Sequence, residues 1–516
     1  MRSPVGRVWV SWLTLFPALL LAGVGCGLGQ SGIEPPKDEI FLPGGLAIDP
    51  DGNWLFVINS NNDLRFNAGT LLPLDLQKAK RDREKAPTEA GLPAWPVCST
   101  NHFSDDKAPE TLAETLDQPC CFDLLRPHTL NCNERAYAQA EATVQIGSFG
   151  GNAVVQPYQG ADGTPVRRIF MMVRAEPSIT FVDVTLANET VQMRCTGPRS
   201  GADPQPLNPY CDDNWRIRRP SGADVSENVF PEEPHALALD QSLGILYVGH
   251  LTFPVSGQVV GGGVSTIDIN ALLDPEAPNV INSIARIVFP TSSSQSVTAL
   301  TLSEPGNPSA IYAVARLSAN ITGLVLQCPV PGQRCDANDP ARDLSLVPGE
   351  QIPSTVFAPS GVDVRGFLLS PDGNQAYVLH RNTPESTTST DPAALVVLDR
   401  RPGSNGEPSN QPGAILEVCS GPSHMQFHNA GRGSLIYITC FEGGQIYVVD
   451  PQEPRVVAII EAGHGPTALT FSPADPTIAF VAGYADNDVA VIDLEPASPT
   501  EYMVVQRLGF PHTVTP

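Results

Sequence analysis

The chain has 516 residues, of which 51 are Pro and 44 are Gly. So many residues that interrupt regular structure argue against a long-helix bundle or a coiled coil, and 41% hydrophobic residues argue against a disordered chain. The 31 Lys and Arg against 55 Asp and Glu leave a net charge of −24, which argues against nucleic acid and anionic lipid surfaces as partners. We therefore expect a folded, turn-rich, all-β protein.

The N-terminus has the pattern of an export signal. Arg2 and Arg7 precede an apolar stretch over 8–25, and small residues end this stretch just before Cys26. The pattern resembles bacterial lipoprotein signals, which implies a signal peptide over 1–25, lipidation of Cys26 and a tether over 26–43. Gly27 rather than Asp follows the cysteine, which by the same resemblance favours the outer membrane of the cell envelope. A plain signal peptide cleaved nearby is the alternative.

The cysteines support export. Without Cys26 the chain has ten cysteines, an even number that predicts up to five disulfides in an oxidising compartment. The candidates lie in four local groups: Cys98, Cys120, Cys121 and Cys132; Cys195 and Cys211; Cys328 and Cys335; Cys419 and Cys440. Three pairings remain open in the first group. Since no CxxC occurs, a thioredoxin site, a zinc ribbon and a c-type haem are unsupported.

A repeat of about fifty residues predicts the fold. The segment 44–59 reappears at 234–250, 366–382 and 466–483 as a strand, a turn and a second strand, and a third strand ending in an acidic residue follows each copy. Weaker copies lie at 149–184, 296–327 and 422–450. A fourth strand follows every unit: 143–149, 190–195, 285–290, 343–349, 414–421, 455–463 and 502–509. Seven units of four antiparallel strands predict a seven-bladed β-propeller.

The repeat resembles the YVTN-type β-propeller family through its SPDG turn at 370–373 and its VID strand end at 491–493. The resemblance implies a propeller over 44–509, with two loop-rich, disulfide-tied insertions at 77–142 and 196–231 and a tail over 510–516. The acidic residue that ends the third strand is expected to close a turn there. Propellers of this kind serve as binding scaffolds, lactonases and oxidoreductases, so the fold does not select a function.

Basic side chains concentrate on one predicted face. In an antiparallel blade the first strand starts where the second strand ends, and we call this side, beside the central channel, the upper face. His235, Arg365, His424 and His464 lie at starts of first strands, and Arg174, His250, Arg316, His380 and Arg381 lie at ends of second strands. In a chain of net charge −24, this local reversal of sign predicts a ligand-binding rim.

Two chemistries fit this rim, beside the alternative that its side chains only satisfy loop backbone. Arginine forks match carboxylate or phosphate, whereas several imidazoles suit a transition metal. Motifs of serine hydrolases, P-loops and zinc proteases are missing. We therefore expect a monomeric binding or scaffolding module without metal or cofactor, anchored to the membrane only by its lipid, whose partner is a small anionic ligand or an envelope protein. The alternative is a propeller enzyme, either a metal- or cofactor-dependent oxidoreductase or a lactonase, that uses the His and Arg residues.

Overall fold

The structure is a computed structural model. It describes residues 32–85, 94–98, 119–160, 162–187, 190–197, 210–218, 230–255, 258–260, 262–270, 272, 284–288, 295–303, 310–316, 318, 320–326, 345–354, 363–381, 393–404 and 406–509. The predicted signal peptide, Cys26, the pair Cys328 and Cys335, and the tail 510–516 lie outside these residues. In this part of the chain no helix reaches the length and hydropathy that a membrane crossing requires.

The first two blades come from the N-terminal part of the chain. Its elements are β1 (Pro43–Ile48), β2 (Trp54–Asn59), β3 (Gly69–Asp75), α1 (Leu76–Arg83), β4 (Cys120–Phe122), β5 (Leu130–Cys132), β6 (Val144–Ile146), β7 (Gly150–Gln159), β8 (Pro165–Val173), β9 (Ser178–Ala187), β10 (Thr190–Arg194) and β11 (Arg216–Arg218). Short 3-10 helices cover Glu134–Ala136, Ala140–Ala142 and Asp213–Trp215. Blade one is the sheet β1-β2-β3-β6, and blade two is β7-β8-β9-β10 with β11 also on β9.

Blades three and four occupy the middle of the chain. Their strands are β12 (Pro234–Asp240), β13 (Ile245–His250), β14 (Phe253–Val255), β15 (Gln258–Val260), β16 (Val264–Asp268), β17 (Ile284–Val288), β18 (Gln295–Leu302), β19 (Ile311–Arg316), β20 (Asn320–Leu326) and β21 (Leu346–Pro353). Blade three is β12-β13-β16-β17, and β14 pairs with β15 in a separate hairpin. Blade four is β18-β19-β20-β21.

The last three blades are regular sheets of consecutive strands. The strands are β22 (Val364–Leu369), β23 (Gln375–His380), β24 (Ala394–Asp399), β25 (Gln411–Glu417), β26 (Pro422–His428), β27 (Leu435–Cys440), β28 (Gln445–Asp450), β29 (Arg455–Glu461), β30 (Pro466–Phe471), β31 (Ile478–Gly483), β32 (Asp488–Asp493) and β33 (Met503–Leu508). They form blades five, six and seven in groups of four. The predicted seven-bladed β-propeller of four-stranded antiparallel sheets is thus confirmed.

The first strand of each blade lines the centre of the ring. Each first strand contacts the first strand of the next blade, in the order β1, β7, β12, β18, β22, β26 and β30, and β30 contacts β1 again. The hydrophobic core lies between the blades; for example, Phe56 and Ile58 of blade one share a buried cluster with Phe170 and Met172 of blade two. Because a blade packs against neighbours on both faces, a second strand such as β2 is buried at every position, without the alternation typical of a half-exposed strand.

The acidic residue at the end of the third strand has the expected role in several blades. The side chains of Asp268, Asp399, Asp450 and Asp493 each accept a hydrogen bond from the backbone N–H two residues further on. This local bond is an Asx turn, which starts the loop toward the fourth strand. In blade one the same position, Asp75, caps α1 by accepting from the Lys78 N–H at 2.8 Å.

The two insertions tie blades together in a way that the repeat did not predict. From the insertion 77–142, β5 runs parallel to β33, the outer strand of blade seven, and Thr129 Oγ1 donates to the Val504 carbonyl at 2.8 Å. From the insertion 196–231, β11 returns to pair with β9, and the Cys211 N–H donates to the Gln145 carbonyl of blade one at 3.1 Å. The insertions therefore cover sheet edges that would otherwise be open to other chains.

Disulfides hold these insertions, and a further disulfide lies at blade six. The structure contains the pairs Cys98–Cys121, Cys120–Cys132, Cys195–Cys211 and Cys419–Cys440. The sequence left the pairing in the first group open. In the structure, the adjacent residues Cys120 and Cys121 bond to different partners. Cys120 and Cys132 lie opposite each other in the β4–β5 ladder, so this disulfide links the two strands that extend blade seven.

Candidate functional site

Each blade carries a β-bulge at the upper face. In all seven blades the register of the first two strands shifts by one residue after their first pair. The extra residues are Gly44, one of Gly151 and Asn152, His235, Ser296, Arg365, Ser423 and Thr467. A bulge redirects a side chain and ends regular pairing. The propeller thus places one unpaired residue per blade at the channel mouth, and in blades three and five this residue is basic.

A backbone hydrogen bond closes the upper end of six blades. The residue after the second strand donates its N–H to the carbonyl of the residue before the first strand, and we call these two residues the corner of the blade. The corners are Leu42 and Ser60, Phe149 and Arg174, Glu233 and Leu251, Asp363 and Arg381, Gly421 and Phe441, and Gly465 and Tyr484. Because the bond fixes both residues, the corners hold their side chains at equivalent positions around the channel.

Blades four and five join their basic residues through one buried carboxylate. Arg365 Nη2 donates to Asp363 Oδ2 at 2.8 Å, and Arg316 Nε lies 3.5 Å from Asp363 Oδ1. The Asp363 side chain is only 2% exposed, whereas Arg316 remains 38% exposed. Two arginines from different blades therefore share one carboxylate and keep part of their guanidinium surface open.

Two further arginines lie on either side of this group. Arg174 of blade two forms an ion pair with Glu233 of blade three at 3.7 Å, and Arg381 of blade five is paired with Glu442 of blade six. The positive charge of Arg365 contributes to lowering the pKa of both Glu442 and His235. The structure thus brings together Arg174, His235, Arg316, Arg365, His380 and Arg381, and we call these six residues the basic rim.

Both imidazoles of the basic rim are neutral at physiological pH. Burial, with a smaller contribution from the charges of Arg174 and Arg365, lowers the pKa of His235 to about 4. Burial also lowers the pKa of His380 to about 4, although Asp363 opposes this shift. A neutral imidazole offers one donor and one acceptor, so the positive charge of the rim comes from the arginines.

The basic rim has more donors than acceptors to bind them. Within the described residues, six of its buried nitrogen atoms make no hydrogen bond: Arg174 Nε, His235 Nδ1, Arg316 Nε, Arg365 Nε, His380 Nδ1 and Arg381 Nε. Asp363 Oδ1 is the matching buried acceptor without a bond. Buried polar groups are normally satisfied, and exceptions often mark an ion, a ligand or water. Four of the six nitrogen atoms are guanidinium donors, whereas an imidazole Nδ1 donates or accepts according to its tautomer. The four guanidinium donors against one carboxylate oxygen favour a ligand rich in acceptor oxygens.

Among the described residues, no hydrogen bond or ion pair joins three predicted site residues to the basic rim: His250, His424 and His464. His250 is fully buried, with Nε2 2.8 Å from Ser265 Oγ and Nδ1 3.3 Å from the Glu232 carbonyl, and burial lowers its pKa to about 3. Burial also lowers the pKa of His424, against a hydrogen bond with Gln426. The sequence placed His250 at the strand end correctly, but its side chain packs into the blade. Both polar contacts of the His250 ring are made with blade three and the segment that leads into it.

The third residue, His464, belongs to a separate pair in blade seven. Its Nδ1 lies 2.8 Å from Asp486 Oδ1, and its side chain is 84% exposed. The His464 N–H donates to the other Asp486 oxygen at 2.7 Å. The carboxylate fixes the imidazole at Nδ1 and leaves Nε2 on the solvent side.

The sequence reasoning missed the carboxylates of the site. Glu233 and Asp363 directly precede the first strands of their blades, and Glu442 follows a second strand by two residues. The signal is present in the sequence, since all three carboxylates flank strand starts or ends, as the basic residues do. With these three carboxylates against four arginines, the site is nearly balanced in charge. In the described part of the chain, no three His, Cys, Asp or Glu side chains lie together as a metal ion would need.

The fold and this site define a seven-bladed β-propeller with an arginine-rich, mixed-charge channel mouth. No family model matches the chain, and no curated protein matches its sequence. Similar solved structures include hydrazine synthase from Kuenenia stuttgartiensis, at 12% identity and TM-score 0.48 over 92% of this chain and 99% of that chain. A putative 6-phosphogluconolactonase from Bacteroides fragilis has 12% identity and TM-score 0.43 over 83% and 86% of the two chains.

A third similar structure is Sqt1 from Chaetomium thermophilum, with 12% identity and TM-score 0.43 over 92% of this chain and 87% of that chain. At these identities the likeness concerns the fold alone, and the different names of the three proteins leave binding and catalysis equally open.

Proposed function

We propose that this chain is a ligand-binding β-propeller whose basic rim holds a small anionic ligand at the mouth of the central channel. One observation carries the proposal: four arginines from blades two, four and five converge on one sector, with more unpaired donors than acceptors. Paired guanidinium donors match the oxygens of carboxylate, phosphate or sulfate.

The charge of the whole protein supports a local site rather than a general affinity. At a net charge of −24, an anion is repelled from most of the surface, so binding requires close contacts that exceed this repulsion. Glu233 and Glu442, each 41% exposed, are the rim carboxylates that can move aside. An incoming anion would exchange places with them on Arg174 and Arg381.

The test is calorimetric titration of the protein without residues 1–26 with sodium sulfate at low ionic strength. We expect one site, and we expect R365Q to weaken it about tenfold, because a hydrogen bond to a charged group contributes about 1.5–3 kcal/mol. The matched control is R401Q, since Arg401 is 74% exposed and pairs with Asp399 at the opposite end of blade five. Equal sulfate affinity for wild type and a folded R365Q protein would refute the proposal.

We also propose that the propeller works at the bacterial cell envelope, held by a lipid on Cys26. The apolar stretch before this cysteine and the disulfides of the structure support an exported protein. The test is fractionation of cells that express wild type or Cys26→Ala. We expect the variant in the soluble fraction, and its continued association with membranes would contradict lipidation.

A second candidate function is hydrolysis, and His464 is the observation that favours it. An exposed imidazole whose other nitrogen is fixed by a carboxylate is arranged as a general base. Such a base would take a proton from water as the water oxygen attacks a lactone carbonyl, and would return it to the leaving ring oxygen. Hydrolysis of a six-membered sugar lactone by wild type but not by H464N would support an enzyme. H428N is the control, because His428 binds the Pro476 carbonyl at 2.5 Å instead.

A further inference from the structure

Three neighbouring corners present an arginine and two aromatic rings side by side. Arg381, Phe441 and Tyr484 donate their N–H groups to the carbonyls of Asp363, Gly421 and Gly465 at 2.8, 3.0 and 3.0 Å. They therefore occupy the same position in blades five, six and seven. The basic rim ends at Arg381, and the aromatic residues continue the upper face from that point.

The two rings form an open aromatic surface. The centroids of Phe441 and Tyr484 lie 6.0 Å apart with an interplanar angle of 52°, and Phe441 is 39% exposed. Gly465 leaves room for this arrangement: its φ is +65°, and a Cβ there would lie 3.2 Å from Phe441 Cε2. A phenylalanine exposed beside a polar site is a contact surface for an apolar group.

The aromatic pair is held close to the basic rim. Glu442, next to Phe441, pairs with Arg381 and accepts from Ser420 Oγ at 2.9 Å. The disulfide Cys419–Cys440 brackets the same corner. Since Phe441 is the chain neighbour of Glu442, with Cα atoms about 3.8 Å apart, the Glu442–Arg381 pair brings the corner that carries Phe441 next to the basic rim.

We infer that the ligand of the basic rim is an organic acid whose carboxylate or phosphate is joined to a planar apolar group, which packs on Phe441 and Tyr484. This inference rests on the proposed anion site. An inorganic anion would use the arginines alone and leave the aromatic pair exposed. The combination of guanidinium donors and adjacent rings instead matches a ligand with an acidic end and an apolar end.

The experiment compares three probes by calorimetry or ligand-observed NMR: 3-phenylpropionate, propionate and 3-phenylpropanol. We expect 3-phenylpropionate to bind at least fivefold more tightly than either of the others. F441A should reduce its affinity to within twofold of that of propionate, and it should leave sulfate affinity unchanged. L125A is the matched control, because Leu125 is 89% exposed in the loop between β4 and β5.

The outcomes separate the two proposals. If propionate and sulfate bind but the phenyl group adds nothing, this inference is overturned and the anion site stands. If neither sulfate nor any acid binds to a folded protein, both are overturned. Unfolding curves of F441A and L125A establish that the compared variants are folded. The Y484A variant gives an independent measurement. If F441A and Y484A both bind 3-phenylpropionate as tightly as wild type, the inference is also overturned.

Discussion

Arg365 and Asp363 face each other across a single residue at the start of blade five, with Arg365 Nη2 2.8 Å from Asp363 Oδ2. The bulge at Arg365 and the corner at Asp363 create this contact, since both depart from regular strand pairing. The buried Asp363 carboxylate accepts a hydrogen bond from Arg365. It therefore already uses one of the guanidinium donors that we assign to a ligand. An anion at the basic rim has to compete with a carboxylate of the protein itself.

This competition predicts the effect of D363N. Asparagine keeps an acceptor oxygen for Arg365 but removes the negative charge, so sulfate affinity should rise about fivefold to tenfold, equivalent to about 1 kcal/mol or slightly more. Titration calorimetry at low ionic strength measures the change. The control is D399N, whose carboxylate pairs with Arg401 at the other end of the blade. A lower sulfate affinity in folded D363N protein would show that Asp363 organises the arginines more than it competes.

The pH dependence of sulfate binding tests the neutral imidazoles. Because the pKa values of His235 and His380 are about 4, both stay uncharged between pH 8 and 5.5, and sulfate itself does not titrate there. We expect affinity to be constant over this range and to increase only as the pH approaches 4. A rise of tenfold between pH 7 and 5.5 would mean that the histidines titrate normally and contribute charge to the site.

The buried Glu134 side chain is expected to make the folded protein less stable as the pH rises. This side chain is 5% exposed, and burial raises its pKa to about 7, although hydrogen bonds including that from the Ile40 N–H oppose the shift. Its folded pKa exceeds its unfolded value, so its stabilising contribution is complete below about pH 4.5 and is lost as the pH rises through 7. The difference is at most about 3 kcal/mol.

Chemical denaturation at pH 4.5, 6 and 8 measures this effect for wild type and E134Q. The glutamine variant should show a smaller decrease in unfolding free energy than wild type and should be the more stable protein at pH 8. E141Q is the control, since Glu141 is exposed in the same insertion. Parallel pH profiles for wild type and E134Q would contradict the assignment.

The disulfide Cys419–Cys440 is expected to support both stability and the site. The double variant C419S/C440S should lose about 3 kcal/mol of unfolding free energy, because the bond closes a loop with a sequence separation of 21. The double variant should also lose more affinity for 3-phenylpropionate than for sulfate, since Phe441 and Glu442 follow Cys440 directly. C195S/C211S has a similar loop on the outer edge of blade two and should lose stability without losing affinity.

The number of blades, the order of the strands and the face that carries the basic residues were all predictable from the amino-acid sequence. These features follow from a local pattern, in which each unit repeats a strand, a turn and an acidic strand end. The same pattern placed His235 and Arg365 at strand starts, where the structure has bulges. A short repeat encodes such positions because strand pairing within a hairpin depends on neighbouring residues.

Which of these residues contact one another depends on the arrangement of the blades in space. Arg316 and Arg365 are far apart in the chain and share Asp363 because blades four and five are adjacent. His250 lies at the predicted strand end, but its ring turns into the blade toward Ser265. The pairing of β5 with β33 joins residues near 130 to residues near 506. These contacts depend on how the blades close into a ring, and a pattern that is local to one blade carries no information about its neighbours.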